Sequence, residues 1–223
     1  MPRPLRIDVG NEIYHCLNRA VGRQAIFKGD KDYELFEKIL QEVVDITEMR
    51  ILAYSIMPNH FHLILHPRND GDLSEFMKRL TVTHTQRYRV ATKTVGQGAV
   101  YQGRYKSFIT QDDKHLLTVL RYVERNPLTA QLVDNPLEWR FGSVYRRYKG
   151  TFKEKQLLSP WVCKEPENYL EILTQALTLK EIERIELSER KGLPFGDEEH
   201  VLKMVEKYNL QSTLREKGRP KGI

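Results

Sequence analysis

The run RILAYSIMPNHFHLILH, residues 50–66, constrains the fold more tightly than any other stretch of this chain. Two β-type segments, 50–57 and 60–66, are separated by Pro58 and Asn59, and a tight turn is the simplest way to join them. An antiparallel hairpin is therefore predicted. Side chains alternate along a strand, so His60, His62, Ile64 and His66 share one face while Phe61, Leu63 and Leu65 share the other. The second set is apolar enough to dock on helices. The histidines are then left on the opposite side of the sheet.

The surrounding pattern supplies the rest of a domain. NEIYHCLNRA (11–20) reads as a first strand. Leu35, Phe36, Ile39, Leu40 and Val43 follow Asp30 at helical spacing, which predicts a helix over 31–48. A second helix is predicted over 72–91, a Gly-rich loop after it, a strand over 100–110, and a third helix over 112–126 that ends before Pro127. The order strand, helix, hairpin, helix, strand, helix points to an α+β fold, a ferredoxin-like antiparallel sheet backed by helices. Near residue 150 the character changes to short, charged helical stretches with a basic end. The expectation is a domain over 1–150 and a small helical extension over 151–223 whose basic tail is mobile.

Charge narrows the partners. The formal net charge is +6, and no Asp or Glu occurs from Phe76 to Thr110, where Lys78, Arg79, Arg87, Arg89, Lys93, Arg104 and Lys106 lie. A polyanion suits that imbalance, and Tyr101, Tyr105 and Phe108 beside it can stack on bases. Cys16 and Cys163 are too far apart to suggest a zinc knuckle or a disulfide framework. The N-terminus lacks the apolar core of a signal peptide, and no run approaches the ~20 apolar residues of a membrane span. A soluble, intracellular protein is expected, acting on neither membranes nor small molecules.

Imidazoles at i and i+2 on one strand face can reach a single cation, but two ligands are too few. In the third helix Leu116, Leu117, Leu120 and Val123 form the core stripe, and Tyr122 and Asn126 lie one turn apart just outside it. An amide oxygen is an adequate hard ligand for Mg²⁺ or Mn²⁺, and a phenol is a candidate nucleophile. Tyr88, Tyr101 and Tyr105 are equally available phenols, and spacing does not choose among the four.

The blocks YHCLNRA, AYSIMPNHFHLILHP, VYQGRYKSF and LRYVERNPLTAQLV, followed by EWRFGSV, resemble in order and spacing the single-tyrosine HUH transposase domain. Within that group they are similar to the REP-associated tyrosine transposases of bacteria. The resemblance covers residues 8 to 148, and GLPFGDEEHVLKMVEKYNL with KGRPKG resembles the tail found in those proteins. It implies that His60 and His62 are metal ligands, Tyr122 the nucleophile and Asn126 the third ligand. His66 falls outside the motif, and His115 is a lesser candidate.

The implied reaction is metal-dependent cleavage and rejoining of single-stranded or hairpin DNA. A Mg²⁺ or Mn²⁺ ion polarises the scissile phosphate, and Tyr122 attacks in line to give a 5′-phosphotyrosine and a free 3′-hydroxyl. Arg19, Lys78, Arg79, Arg87, Arg104, Tyr105, Lys106 and Arg219 are the expected DNA contacts. Arg219 lies in a tail that resembles a minor-groove hook, with Lys217 where the usual hook has Arg. A monomer is favoured over a homodimer, in the bacterial cytoplasm at the nucleoid. The rival reading is a domesticated, catalytically silent DNA-binding protein, which the intact His60, His62, Tyr122 and Asn126 set disfavours. A zinc hydrolase lacks further His, Cys or carboxylate ligands at recognisable spacing.

Overall fold

The computed structural model of the protein describes residues 7–215. Four strands form an antiparallel sheet among them: β1 Ile13–Arg19, β2 Arg50–Met57, β3 His60–His66 and β4 Lys106–Thr110, in the order β2-β3-β1-β4. Helix α1 (Asp30–Thr47) links β1 to β2, α2 (Asp72–Ala91) links β3 to β4, and α3 (Lys114–Glu124) follows β4. This is the ferredoxin-like α+β arrangement read from the sequence. The hairpin and α2 have the predicted bounds. β4 is shorter than predicted because residues 102–105 leave the sheet, with Tyr101 making an isolated bridge to Ala20.

Both faces of the sheet are covered. On one side Tyr14, Cys16, Phe61, Leu63 and Leu65 pack with Phe36, Ile39, Leu40, Phe76 and Leu80 of α1 and α2 in the larger core cluster. On the other, Ile13, Ile64 and Phe108 pack with Leu116, Val119, Leu120 and Val123 of α3. Val119 takes the place in the α3 stripe that the sequence pattern assigned to Leu117. The histidine-bearing face is therefore roofed by a helix, which puts His62 in an environment of low polarity.

The third helix ends differently from expectation. It breaks at Arg125, and the chain makes another short helix, α4 (Asn126–Thr129), with Pro127 at its second position. A proline is accommodated there because the first turn of a helix needs no backbone donor. Asn126 thus opens a new helix instead of capping the old one.

The later residues form α5 (Ser143–Lys149), α6 (Phe152–Lys155), α7 (Tyr169–Thr174), α8 (Leu179–Lys191), α9 (Glu198–Lys207) and α10 (Gln211–Leu214). Much of this segment is tied to the sheet. Ile185 of α8 and Phe195 join the α3 core cluster, and Phe195 pairs with the end of β4 through Phe195 N to Ile109 O at 2.8 Å and Gln111 N to Phe195 O at 2.9 Å. Glu124 of α3, fully buried, accepts from Ser143 Oγ and from the Tyr169 hydroxyl, each at 2.6 Å. Arg219 and the tail expected to be mobile lie outside the described residues.

Candidate active site

The β1–β3 register sets Arg19 opposite His60, Leu17 opposite His62 and His15 opposite Ile64, so His15, Arg19 and the two motif histidines share a face. The His60 and His62 rings lie 5.0 Å apart, nearly perpendicular. His62 and Tyr122 of α3 meet edge to face at 5.8 Å. Of the four phenols left open by spacing, Tyr122 is the one in ring contact with a motif histidine. Tyr101 instead donates to or accepts from His84 Nδ1 at 2.6 Å in the opposite core, and Tyr105 is 6 % exposed.

Two residues absent from the sequence-based set complete the cluster. His15, 1 % exposed, brings Nε2 to 2.8 Å from His62 Nδ1. Glu189 of α8 brings Oε1 to 3.8 Å from both His15 Nδ1 and His62 Nδ1, and its carboxyl lies close enough to the Tyr122 hydroxyl for each to shift the other's titration. Helix α8 presents Glu189 because Ile185, Ser188 and Glu189 sit at i, i+3 and i+4 on its inner stripe. A Thr178–Glu181 capping box starts the helix, and Gly192, at φ 72°, ends it one turn after Ser188. The signal was an acidic residue in line with an apolar helical stripe.

Electrostatics follow burial. Desolvation pushes His15 down to about 3 and His60 to about 4, and takes His62 well below the ordinary imidazole range, so all three rings are neutral at pH 7. Desolvation also raises Glu189 to about 7 and holds the Tyr122 phenol above its usual value, with nearby Glu189 and Glu186 adding to the second effect. A carboxylate in the last turn of α8 also faces the negative end of that helix.

The donors present are of the kinds that a divalent cation takes. His60 Nδ1 lies 2.6 Å from Asn59 Oδ1, and Asn59 is fixed by donating Nδ2 to Arg23 O at 2.9 Å. His60 Nδ1 therefore carries the proton and Nε2 keeps its lone pair. His62 Nδ1 is likewise engaged, by His15. Asn126 donates Nδ2 to the Tyr122 carbonyl at 3.3 Å, which leaves its amide oxygen as the potential ligand, and no hydrogen bond joins it to His60 or His62 among the described residues. His15, His62 and Glu189 also form a compact set of metal-ligating groups, a combination that spacing in the sequence did not reveal.

The other expected contacts divide. Arg104 and Lys106 are exposed and, with Arg190 and Lys191, line a cavity of about 750 Å³ beside β4 that Glu189 also lines. Lys78 and Arg104 line a second, of about 750 Å³, between α2 and residues 99–105. Arg79 is paired with Glu75 on its own helix, and Arg87 makes a two-pronged contact to Glu42 of α1 at 2.6 and 3.1 Å. Tyr101, Tyr105 and Phe108 are core residues, 6 %, 6 % and 3 % exposed, because their strand and loop are roofed on both sides. His66 is at the far end of β3, about 20 Å from His60 at 3.3 Å per residue. His115 is held at the start of α3 by the N-cap Asp113, whose Oδ1 accepts from its backbone N–H and lies 2.8 Å from its Nδ1. No helix of the described residues is long and apolar enough to cross a membrane.

Comparison with known proteins bears on the family and the fold. A REP-associated tyrosine transposase homologue of Haemophilus influenzae is 25% identical over 125 residues, 51% of this chain and 69% of that protein. The structure of a REP-associated tyrosine transposase bound to a REP hairpin superposes with a TM-score of 0.56 at 15% identity, covering 80% of this chain and 96% of that one. That match shows the same fold over a larger share than the first 150 residues. A transposase-type structure from Deinococcus radiodurans R1 matches at a TM-score of 0.40 and 18% identity, over 59% of this chain and 92% of the other. The family model for IS200-like transposases matches residues 8–126, more than half of the sequence and the whole span from the first strand to Asn126. The chain belongs to the IS200-like family of transposases.

Proposed function

We propose that this protein cuts and rejoins single-stranded or hairpin DNA through a covalent link to Tyr122. The observation that carries the reading is the meeting of His62 and Tyr122, from a strand and a helix far apart in sequence, beside a buried carboxylate. The Tyr122 oxygen attacks the scissile phosphorus in line, the bond to the 3′-oxygen breaks, and a 5′-phosphotyrosine and a 3′-hydroxyl result. Glu189, the carboxyl whose charge the phenol senses, would take the phenol proton, and a proton from solvent completes the leaving 3′-hydroxyl. The ester preserves the bond energy, so the reverse attack by a 3′-hydroxyl reseals a strand without a nucleotide cofactor.

His60, His62 and the Asn126 amide oxygen are the residues that would hold Mg²⁺ or Mn²⁺. Such an ion acts as a Lewis acid on a non-bridging phosphate oxygen. Arg19, opposite His60 on the same face, adds fixed positive charge where the phosphate would sit. The cavity lined by Arg104, Lys106, Arg190 and Lys191 offers a basic path to Glu189, and Lys78 extends the positive surface. A neighbour of the same fold is bound to a REP hairpin, which supports hairpin DNA as the partner class. One chain supplies histidines, tyrosine and carboxylate alike, which supports a monomer. Residues 1–150 would carry the cutting chemistry, and the extension over 151–223 would seat Glu189.

The test is incubation with end-labelled single strands bearing a hairpin, with Mg²⁺ or Mn²⁺, followed by denaturing electrophoresis. A labelled species of protein size is expected. Absence of any adduct with every strand overturns the enzymatic reading, and binding without cleavage favours the silent DNA-binding protein.

A further inference from the structure

We propose that His15 and Glu189 are positioning residues that lock His62 in the tautomer able to bind a cation. The inference rests on the cation reading of His60 and His62 and concerns residues outside that ligand set. An imidazole with Nδ1 protonated keeps the Nε2 lone pair, and the partner of Nδ1 decides the tautomer. His60 takes this form because Asn59 Oδ1 can only accept. The Nδ1 of His62 has Glu189 Oε1 at 3.8 Å, beyond hydrogen-bond reach, where it favours a proton on that nitrogen without fixing it. The same Nδ1 faces the Nε2 of His15 at 2.8 Å, a contact that works in either direction.

Glu189 removes the ambiguity. If His15 donated from Nε2, its Nδ1 lone pair would face the Glu189 oxygen 3.8 Å away, and His62 would carry its proton on Nε2, where it blocks coordination. With the proton of His15 on Nδ1, that N–H points its positive charge at Glu189, Nε2 becomes the acceptor, and His62 donates from Nδ1. His15 Nδ1 and Glu189 Oε1 are both buried without a hydrogen-bond partner, and the other imidazole nitrogen at 3.8 Å from that oxygen, His62 Nδ1, is also best protonated there, so both contacts favour the same arrangement. The pair of rings is held nearly parallel, 12° between planes, which limits reorientation of His62. The same carboxyl lies beside the Tyr122 hydroxyl and raises its titration. One residue of the C-terminal segment therefore sits beside the nucleophile and, through His15, sets the proton position on a metal ligand.

Histidine ¹⁵N NMR on the metal-free protein reads the tautomer directly, and Mn²⁺ affinity by electron paramagnetic resonance reads its consequence. In the wild type His62 is expected to carry its proton on Nδ1. His15→Phe keeps a ring in the core but removes the acceptor, and should move His62 toward the Nε2–H form and weaken Mn²⁺ binding about 10–100-fold. His15→Gln returns an acceptor oxygen and should restore much of the affinity. A wild-type His62 protonated on Nε2, or an H15F protein with unchanged tautomer and Mn²⁺ affinity within about twofold, overturns the inference. His62→Ala separates the two ideas: Mn²⁺ binding unaffected by that change overturns the cation reading itself, whatever the tautomer.

Discussion

The His62 ring of β3 and the Tyr122 ring of α3 stand edge to face, 5.8 Å between centroids, and this contact joins the histidine motif to one phenol out of several. Tyr122→Phe keeps that packing and removes only the hydroxyl beside Glu189. The expected change in stability is at most about 1 kcal/mol. Hairpin binding should survive in a gel-shift assay while strand cleavage is lost. Cleavage by Y122F at wild-type rate would assign the nucleophile elsewhere.

Glu189 predicts opposite trends in activity and stability. Its carboxyl titrates near 4.5 in the unfolded chain and at about 7 in the folded protein, so between those values the folded state holds a proton that the unfolded state has released. Stability contributed this way is complete below pH 4.5 and is lost as pH rises from there through 7, by about 3 kcal/mol. Cleavage should rise over the same window, since the ionised carboxylate is the form that takes the phenol proton. Urea unfolding of the metal-free protein at pH 5 and pH 8 measures the first trend, and Glu189→Gln should flatten its own contribution.

His84 provides an acid-labile point far from the cluster. It is 1 % exposed among Phe27, Phe36 and Tyr101, and desolvation lowers it from 6.5 to about 4. The unfolded chain gains a proton there before the folded one does, so stability is full above 6.5 and falls as pH drops through 4. The loss from this residue is about 3 kcal/mol. His84→Gln should lose less stability than wild type between pH 7 and pH 4 in thermal or urea unfolding, and an equal loss would contradict the assignment.

Arginines that look equivalent in sequence should separate in DNA binding. Arg87 is held by Glu42, whereas Arg104 and Lys106 are exposed along the cavity that reaches Glu189. Each phosphate contact to a single strand contributes about 0.7 to the salt slope of binding, so the R104A/K106A double variant should lower that slope by about 1.4. Arg87→Ala should leave the slope unchanged and reduce stability by at most about 1 kcal/mol, as expected for an exposed pair. Fluorescence anisotropy at several salt concentrations distinguishes the two.

Local pattern made the sheet and its first helices readable. Pro58-Asn59 between two apolar runs sets the hairpin, and the spacing of Phe36, Ile39, Leu40 and Val43 sets α1. The face shared by His60 and His62 follows from alternation alone. What local pattern does not carry is which distant group folds over that face. His15 reads as an ordinary strand residue until β1 pairs with β3, and Glu189 reads as one more charge on a charged helix until Ile185 docks. The same limit hid Glu42, which neutralises Arg87 from another helix, and the roof over Tyr101, Tyr105 and Phe108. Pro127 was legible as a break, but whether the chain leaves the helix there or starts another depends on packing beyond it.

The central claim is that Tyr122 becomes covalently joined to DNA. Protein reacted with a hairpin-bearing single strand and Mn²⁺ can be digested with nuclease and protease, and the nucleotide-bearing peptide sequenced by mass spectrometry. The account predicts a 5′-phosphate ester on Tyr122 in the peptide that spans α3. A nucleotide attached to any other residue, or cleaved strands with no modified peptide, would contradict it.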